Sequence, residues 1–185
     1  MKLTFCQAEI IIILQFMNKI FDGYFYNPTC GDISLEATVR EIVKYFSEKP
    51  EIPYELIVGC DSSSGEHPNF PVAIVVLRKG QGGRFFLKRI NYKDRKFYSW
   101  KRRILEEVFL SCQLALLLKE KVEKEAEKMS LSQSYEFRYI HADVGENGQT
   151  KDMVREVVGL IRGNGFEAKI KPESYAASSV ADRFA

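Results

Sequence analysis

Two runs of the chain decide its architecture: Tyr54-Glu55-Leu56-Ile57-Val58-Gly59-Cys60-Asp61 and Glu136-Phe137-Arg138-Tyr139-Ile140-His141-Ala142-Asp143. Both are rich in β-branched and aromatic residues and read as strands. Each ends on an aspartate followed by turn-prone residues: Ser62-Ser63-Ser64-Gly65 after the first, Val144-Gly145-Glu146-Asn147-Gly148 after the second. Either aspartate could simply cap its turn. An aspartate closing a buried apolar strand is costly, however, unless something compensates it. Two from neighbouring parallel strands repel each other, and a divalent cation is the usual remedy. The pair therefore points first to a metal-dependent enzyme.

Outward from these runs, the pattern yields an ordered set of elements. Ser34 precedes Leu35, Val39, Ile42, Val43 and Phe46, one helical face with an N-cap, and Pro50 lies just past its end. Phe70 to Leu77 and Arg84 to Ile90 are strands around the turn cluster Lys79-Gly80-Gln81-Gly82-Gly83. With 54–61 they form an antiparallel meander. A long helix spans roughly Tyr98 to Met129, well buried in its first half (Ile104, Val108, Ala115, Leu116), with an alternating, solvated Lys/Glu end. After the strand ending at Asp143, Thr150 to Arg162 is helical and Phe166 to Ile170 is a fifth strand. Ser174 is the expected cap of a last helix reaching about Arg183. The order predicts an α/β domain: a five-stranded mixed sheet, antiparallel meander plus two parallel strands, with helices on both faces. Asp61 and Asp143 then end adjacent parallel strands about 4.8 Å apart.

Composition narrows the class. A chain of 185 residues, 45% hydrophobic, can bury one full core. The four cysteines show no Cys-x-x-Cys pairing and no zinc spacing, which suits a reducing, cytoplasmic location. The apolar run Ile10 to Met17 is too short to span a bilayer, so no membrane partner is expected. Net charge is +2, yet Arg78 to Arg103 holds eleven basic residues and one acid, Asp94. Aromatics interleave with them: Phe85, Phe86, Tyr92, Phe97, Tyr98 and Trp100. That mixture suits a phosphate backbone and stacked bases. Arg84, Lys88, Lys93, Arg95, Lys96 and Lys101 are the candidate nucleic-acid contacts.

The order of elements, with acids at these places, resembles the ribonuclease H-like superfamily. Particular strings look closer to its YkuK-type family: Gly59-Cys60-Asp61-Ser62-Ser63, Gly80-Gln81-Gly82-Gly83, Arg103-Ile104-Leu105-Glu106-Glu107, His141-Ala142-Asp143-Val144-Gly145 and the terminal Tyr175-Ala176-Ala177-Ser178-Ser179-Val180-Ala181-Asp182-Arg183. Asn27-Pro28-Thr29 with Gly31 looks like the family's entry segment. The likeness runs from about Tyr24 to the C-terminus. Residues 1–20 fall outside it and read as an N-terminal extension, either packed on the domain or a translated leader upstream of a start at Met17. Residues 21–185 read as a single domain.

The resemblance implies four carboxylates holding two Mg²⁺ or Mn²⁺ ions. Carried over by position they are Asp61, Glu107 (or Glu106), Asp143 and Asp182, serving as both metal ligands and catalytic residues. The helical wheel favours Glu107. It shares a stripe with Ile104 and Ser111, whereas Glu106 lies about 100° round, where a surface ion pair with Arg102 and Arg103 is expected. Ser62 and Ser63 are candidates to orient Asp61 or touch a phosphate. His141 reads as a core residue and Lys151 as a solvated lysine. The expected activity is two-metal hydrolysis of phosphodiester bonds, in RNA or a hybrid duplex on grounds of resemblance alone. The alternative is a non-catalytic module of the same fold that binds nucleic acid or protein.

Overall fold

The computed structural model describes residues 19–131 and 135–185. The expected extension lies almost wholly outside them. The elements are β1 (Tyr24–Asn27), β2 (Gly31–Ser34), α1 (Leu35–Glu48), β3 (Tyr54–Cys60), β4 (Asn69–Arg78), β5 (Gly83–Asn91), α2 (Trp100–Lys128), β6 (Tyr135–Ala142), α3 (Val154–Gly163) and β7 (Glu167–Lys169). The sheet has seven strands in the order β2-β1-β5-β4-β3-β6-β7. Its central five are the predicted meander plus two parallel strands: β3 pairs antiparallel with β4, β4 with β5, and β6 pairs parallel with β3 and β7.

The two additional strands form a hairpin on the meander edge, with Tyr26 opposite Leu87. Its tight turn is built by Asn27, whose Oδ1 accepts the backbone N–H groups of Thr29 and Cys30. Gly31 then takes φ +69°, a conformation that suits glycine. Each hairpin strand is four residues long, too short for alternation to reveal it.

Helix α1 begins as expected: Ser34 Oγ accepts the N–H of Ala37 at 3.2 Å. Its apolar stripe packs with α2 and α3 against Leu56, Val58, Cys60, Val72, Ile74 and Ile140 in one continuous core. Each side chain fully buried there contributes about 1.5–3 kcal/mol. All three long helices serve this face. Among the described residues the opposite face is covered by the C-terminal segment, through Ala176 against Ile57 and Val75, and Ala181 against Ala73 and Leu87. That segment is a π-helical turn, Ala176–Ala181, followed by a 3-10 turn, Asp182–Phe184, not the regular helix expected. Ser174 does not cap it by its hydroxyl. Its carbonyl instead accepts from Ala177 N–H and Ser178 N–H.

Two local features bring this segment close. Glu55 pairs with Glu136 but Ile57 with Tyr139, so β6 carries an extra residue at a bulge. Past it, Ile140 and Ala142 face the helices, and His141 faces the C-terminal turn. Gly59 lies under the turn. A Cβ there would stand 2.7 Å from Ala177 N and 2.9 Å from the Ala176 carbonyl carbon, so only glycine admits this approach. Leu116, expected in the core, is 39% exposed, because it lies on the outward side of α2, while Leu117, Leu118, Val122 and Ala126 further along stay buried.

Candidate active site

Four segments end at one end of the sheet. Asp61 continues the β3 ladder by one residue, its N–H donating to Pro71 O at 3.3 Å. Asp143 follows β6 directly. Glu107 comes from α2 on the helical face, and Asp182 from the C-terminal turn on the other. The Asp61 carboxyl is pushed up to about 6, first by burial and then by the charges of Asp143 and Asp182, against an opposing hydrogen bond from Ser62 N–H. Asp182 also comes within hydrogen-bonding range of it. Burial raises Glu107 to about 8, assisted by the charges of Asp61 and Asp143, while Ser62 and Arg103 pull it down. The four predicted acids are therefore one electrostatic cluster, built from both faces around the sheet edge.

The polar groups around the acids differ from expectation. Ser62 reaches two of the acids: its N–H bonds to the Asp61 carboxyl, and its hydroxyl donates to Glu107 Oε1 at 2.5 Å. Ser63 closes the loop, its Oγ accepting Asn69 N–H at 2.9 Å. Lys171, to which no motif pointed, places Nζ 2.8 Å from Asp143 Oδ2, and its N–H donates to Val144 O. The other oxygen, Asp143 Oδ1, is buried without a hydrogen-bond partner among the described residues. His141 is buried. Its Nδ1 accepts Ala176 N–H at 3.1 Å, and burial drives the imidazole down to about 3, so it is a neutral core residue that holds the C-terminal turn.

Glu106 and Glu107 are both buried, at 7% and 6% exposure, which corrects the expected surface position of Glu106. The Glu106 partners are not Arg102 and Arg103. Tyr92 OH donates to its Oε1 at 2.5 Å, and Arg95 reaches its Oε2 at 2.7 Å. The strand-end aromatic and the loop after β5 thus partner Glu106, and Glu107 is left to face Asp61 and Asp143.

The basic candidates scatter. Arg84 pairs with Val76, which pairs with Leu56, so it lies about 16 Å along the strands from Asp61. It ion-pairs with Glu48 and Glu41 and covers the Tyr45 ring. Lys88 donates to Asp22 O at 2.5 Å on the helical face. Arg95 is committed to Glu106, and Lys96 to Glu66 at 3.2 Å. Lys93 and Lys101 are exposed and form no ion pair among the described residues. Lys151 is exposed on a 3-10 turn. The charge run therefore supplies structural pairs as well as free cations, a division that composition cannot reveal.

Sheet order and acid positions define a ribonuclease H-like protein. A family model described as Ribonuclease H-like matches residues 37–185, and the chain belongs to that family. It is 29% identical over 165 residues to the uncharacterized protein YkuK of Bacillus subtilis (strain 168), covering 86% of this chain and 95% of that one. No solved structure matches it. Among the described residues, no helix is long and apolar enough to cross a membrane.

Proposed function

We propose that the protein hydrolyses phosphodiester bonds of nucleic acid, with Asp61, Glu107, Asp143 and Asp182 holding two Mg²⁺ or Mn²⁺ ions. One observation carries this reading: acids from four separate segments come together, so that burial and the charges of Asp143 and Asp182 raise Asp61, burial and the charges of Asp61 and Asp143 raise Glu107, and one Asp143 oxygen beside them is buried and unpartnered. An all-oxygen donor set of this charge suits magnesium or manganese. When bound, the ions would make water acidic enough to attack at neutral pH and would stabilise the leaving oxygen. The chain's own part is positional. Ser62 fixes the Glu107 carboxyl, the β3–β4 ladder fixes the Asp61 backbone, and the Gly59 contact sets Asp182. The RNA preference and the cytoplasmic location rest on the resemblance and on the free thiols of Cys30, Cys60 and Cys112.

A second reading, a binding module that does not cleave, has its own support. As the side chains stand, no three His, Cys, Asp or Glu among the described residues are grouped closely enough to enclose an ion. Lys171 and Ser62 already occupy an oxygen on each of two of the four carboxylates, Asp143 and Glu107. The readings separate on a panel of end-labelled RNA, DNA and hybrid duplex with Mg²⁺, Mn²⁺ or EDTA. Metal-dependent cleavage that disappears in Glu107→Gln establishes the nuclease. Binding without cleavage in every metal establishes the module.

A further inference from the structure

The sheet face opposite the helices carries a row of residues with no part in the acid cluster beyond its first member. Asp61 bonds to Pro71, and Pro71 pairs with Arg89. On the outer side Tyr26 pairs with Leu87, and that antiparallel register continued by two residues brings Tyr24 alongside Arg89. Asp61, Pro71, Arg89 and Tyr24 therefore lie side by side across four strands, all on the face of the C-terminal turn. Three strand spacings separate the ends, about 14 Å. Tyr24 is 68% exposed and Tyr26 41%, while Phe25 between them is fully buried on the helical side. Two tyrosines thus stand open on one face of a four-residue strand. Phe184 extends the aromatic surface beside Asp182. Its ring lies 6.4 Å from that of Tyr26 and 5.8 Å from that of Phe85, and its carbonyl accepts from Arg89 Nε at 3.2 Å.

The geometry points to this surface as the track for an unpaired nucleic-acid strand, entering the acid cluster by way of Arg89 and stacking a base on Tyr24. Three features select that occupant. First, the row begins at the acids, so a strand whose phosphate lies at Asp61 continues onto it without changing direction. Second, charge complements it: Arg89 and Arg183 are exposed cations, and the acid on the outer strand, Asp32, lies opposite Tyr26, one row away from the Asp61 row, where Ser34 stands opposite Tyr24. Third, tyrosine rings open on a pleated face take bases by stacking whatever the sequence, and bases are available for this only when unpaired. A duplex keeps its bases inside and has nothing to offer Tyr24.

This inference rests on the nucleic-acid reading, not on cleavage, and is tested in EDTA, where no cleavage competes. Labelled 12-nucleotide single-stranded RNA and DNA and a blunt RNA duplex are titrated by fluorescence anisotropy. Folding of each variant is checked by its melt. Tyr24→Ala is expected to weaken both single strands about 5- to 100-fold, with its salt slope unchanged. Tyr24→Phe should stay within about twofold of wild type. Arg89→Gln should lower the salt slope by about one unit. Duplex affinity should not change with Tyr24, and Phe109→Ala, removing a 47% exposed aromatic from α2 on the helical side, should bind as wild type does. Wild-type single-strand affinity in Tyr24→Ala overturns the track, even where metal-dependent cleavage stands. Sedimentation that finds a dimer dissociated by Tyr24→Ala, with oligonucleotide affinity intact, overturns it in favour of a second copy. Tyr24-dependent binding with no cleavage in any metal leaves the track and overturns the nuclease.

Discussion

The two faces of the sheet are built to different depths, and the candidate site takes part of itself from each. The helical face carries three long helices over a continuous core and delivers Glu107 from two turns inside a 29-residue helix. The other face has one thin cover, two short irregular turns held by Gly59, His141 and a few alanines, and delivers Asp182 three residues from the chain end. The contrast teaches that one half of the cluster is anchored by the whole fold and the other by a local contact. Damage on the helical side should therefore break chemistry without moving the chain. Damage on the thin side should move the chain first.

The largest expected effect separates the adjacent glutamates. Glu107→Gln should abolish metal-dependent cleavage, by at least about 100-fold, while the metal-free protein melts no lower than wild type, because a raised, repelled carboxyl has been removed. Glu106→Gln should do the reverse. It removes one charge of an ion pair whose other member, Arg95, is 53% exposed and screened by water, so the loss is at most about 1 kcal/mol, and it leaves the activity within a few-fold. Paired melts and initial rates check this. A dead but fully stable Glu106→Gln would reverse the assignment of the helix face.

On the thin side, Gly59→Ala should push the C-terminal turn off the sheet, since the new methyl would stand 2.7 Å from Ala177 N. The expected signs are a loss of about 1–3 kcal/mol, cleavage of the tail by carboxypeptidase, and loss of Mn²⁺-induced stabilisation. Metal stabilisation surviving tail loss would mean that Asp182 contributes nothing to the site.

How much of this was legible in the sequence follows from the same contrast. β3 and β6 announced themselves because a long apolar run closing on Asp fits a buried strand with a polar end and little else, and α1 because Ser34 and a clean apolar stripe mark a start and a face. Glu107 could be chosen over Glu106 from its stripe, since helical periodicity is regular. What failed was local and irregular. Tyr24 to Ser34 made too short a hairpin to show alternation. The β6 bulge, which sets the face that His141 takes, left no composition signal. The C-terminal turn read as an ordinary helix because its alanines and serines suit one, and the close approach of Ala176 and Ala177 to Gly59 leaves no mark in composition. Charge counting also could not show that Arg84 and Arg95 hold ion pairs, because their partners Glu48 and Glu106 are distant in sequence.

The acid cluster also sets a pH dependence in the metal-free protein. Asp61 rises from 3.8 to about 6 and Glu107 from 4.5 to about 8, so the folded state holds protons that the unfolded chain releases. Their contribution is fully present below about pH 4 and is lost as pH rises to about 8. In EDTA the wild type should lose at least about 1 kcal/mol more than Glu107→Gln between pH 5 and pH 8. With saturating Mn²⁺ the trend should invert, because binding requires the ionised carboxylates. Parallel pH profiles for the two proteins in EDTA would mean that Glu107 is not coupled to the cluster.

The smallest expected effect concerns Lys171, which places a resident positive charge at the shared edge of the two faces. Its Nζ meets one oxygen of Asp143 at 2.8 Å while the other oxygen stays buried and unpartnered. The lysine is about half exposed, so water screens the pair and its contribution is at most about 1 kcal/mol. An ammonium and a divalent cation compete for the same carboxylate, and cation entry must displace Nζ. Lys171→Met should therefore lower the metal-free melting temperature by only a few degrees and shift the Mn²⁺ titration midpoint to lower concentration by a few-fold. Lys171→Arg should keep the ion pair and move the midpoint little. If Lys171→Met instead weakens Mn²⁺ binding, the lysine supports the site by orienting Asp143, and the cation would have to bind on the unpartnered oxygen with Nζ still in place.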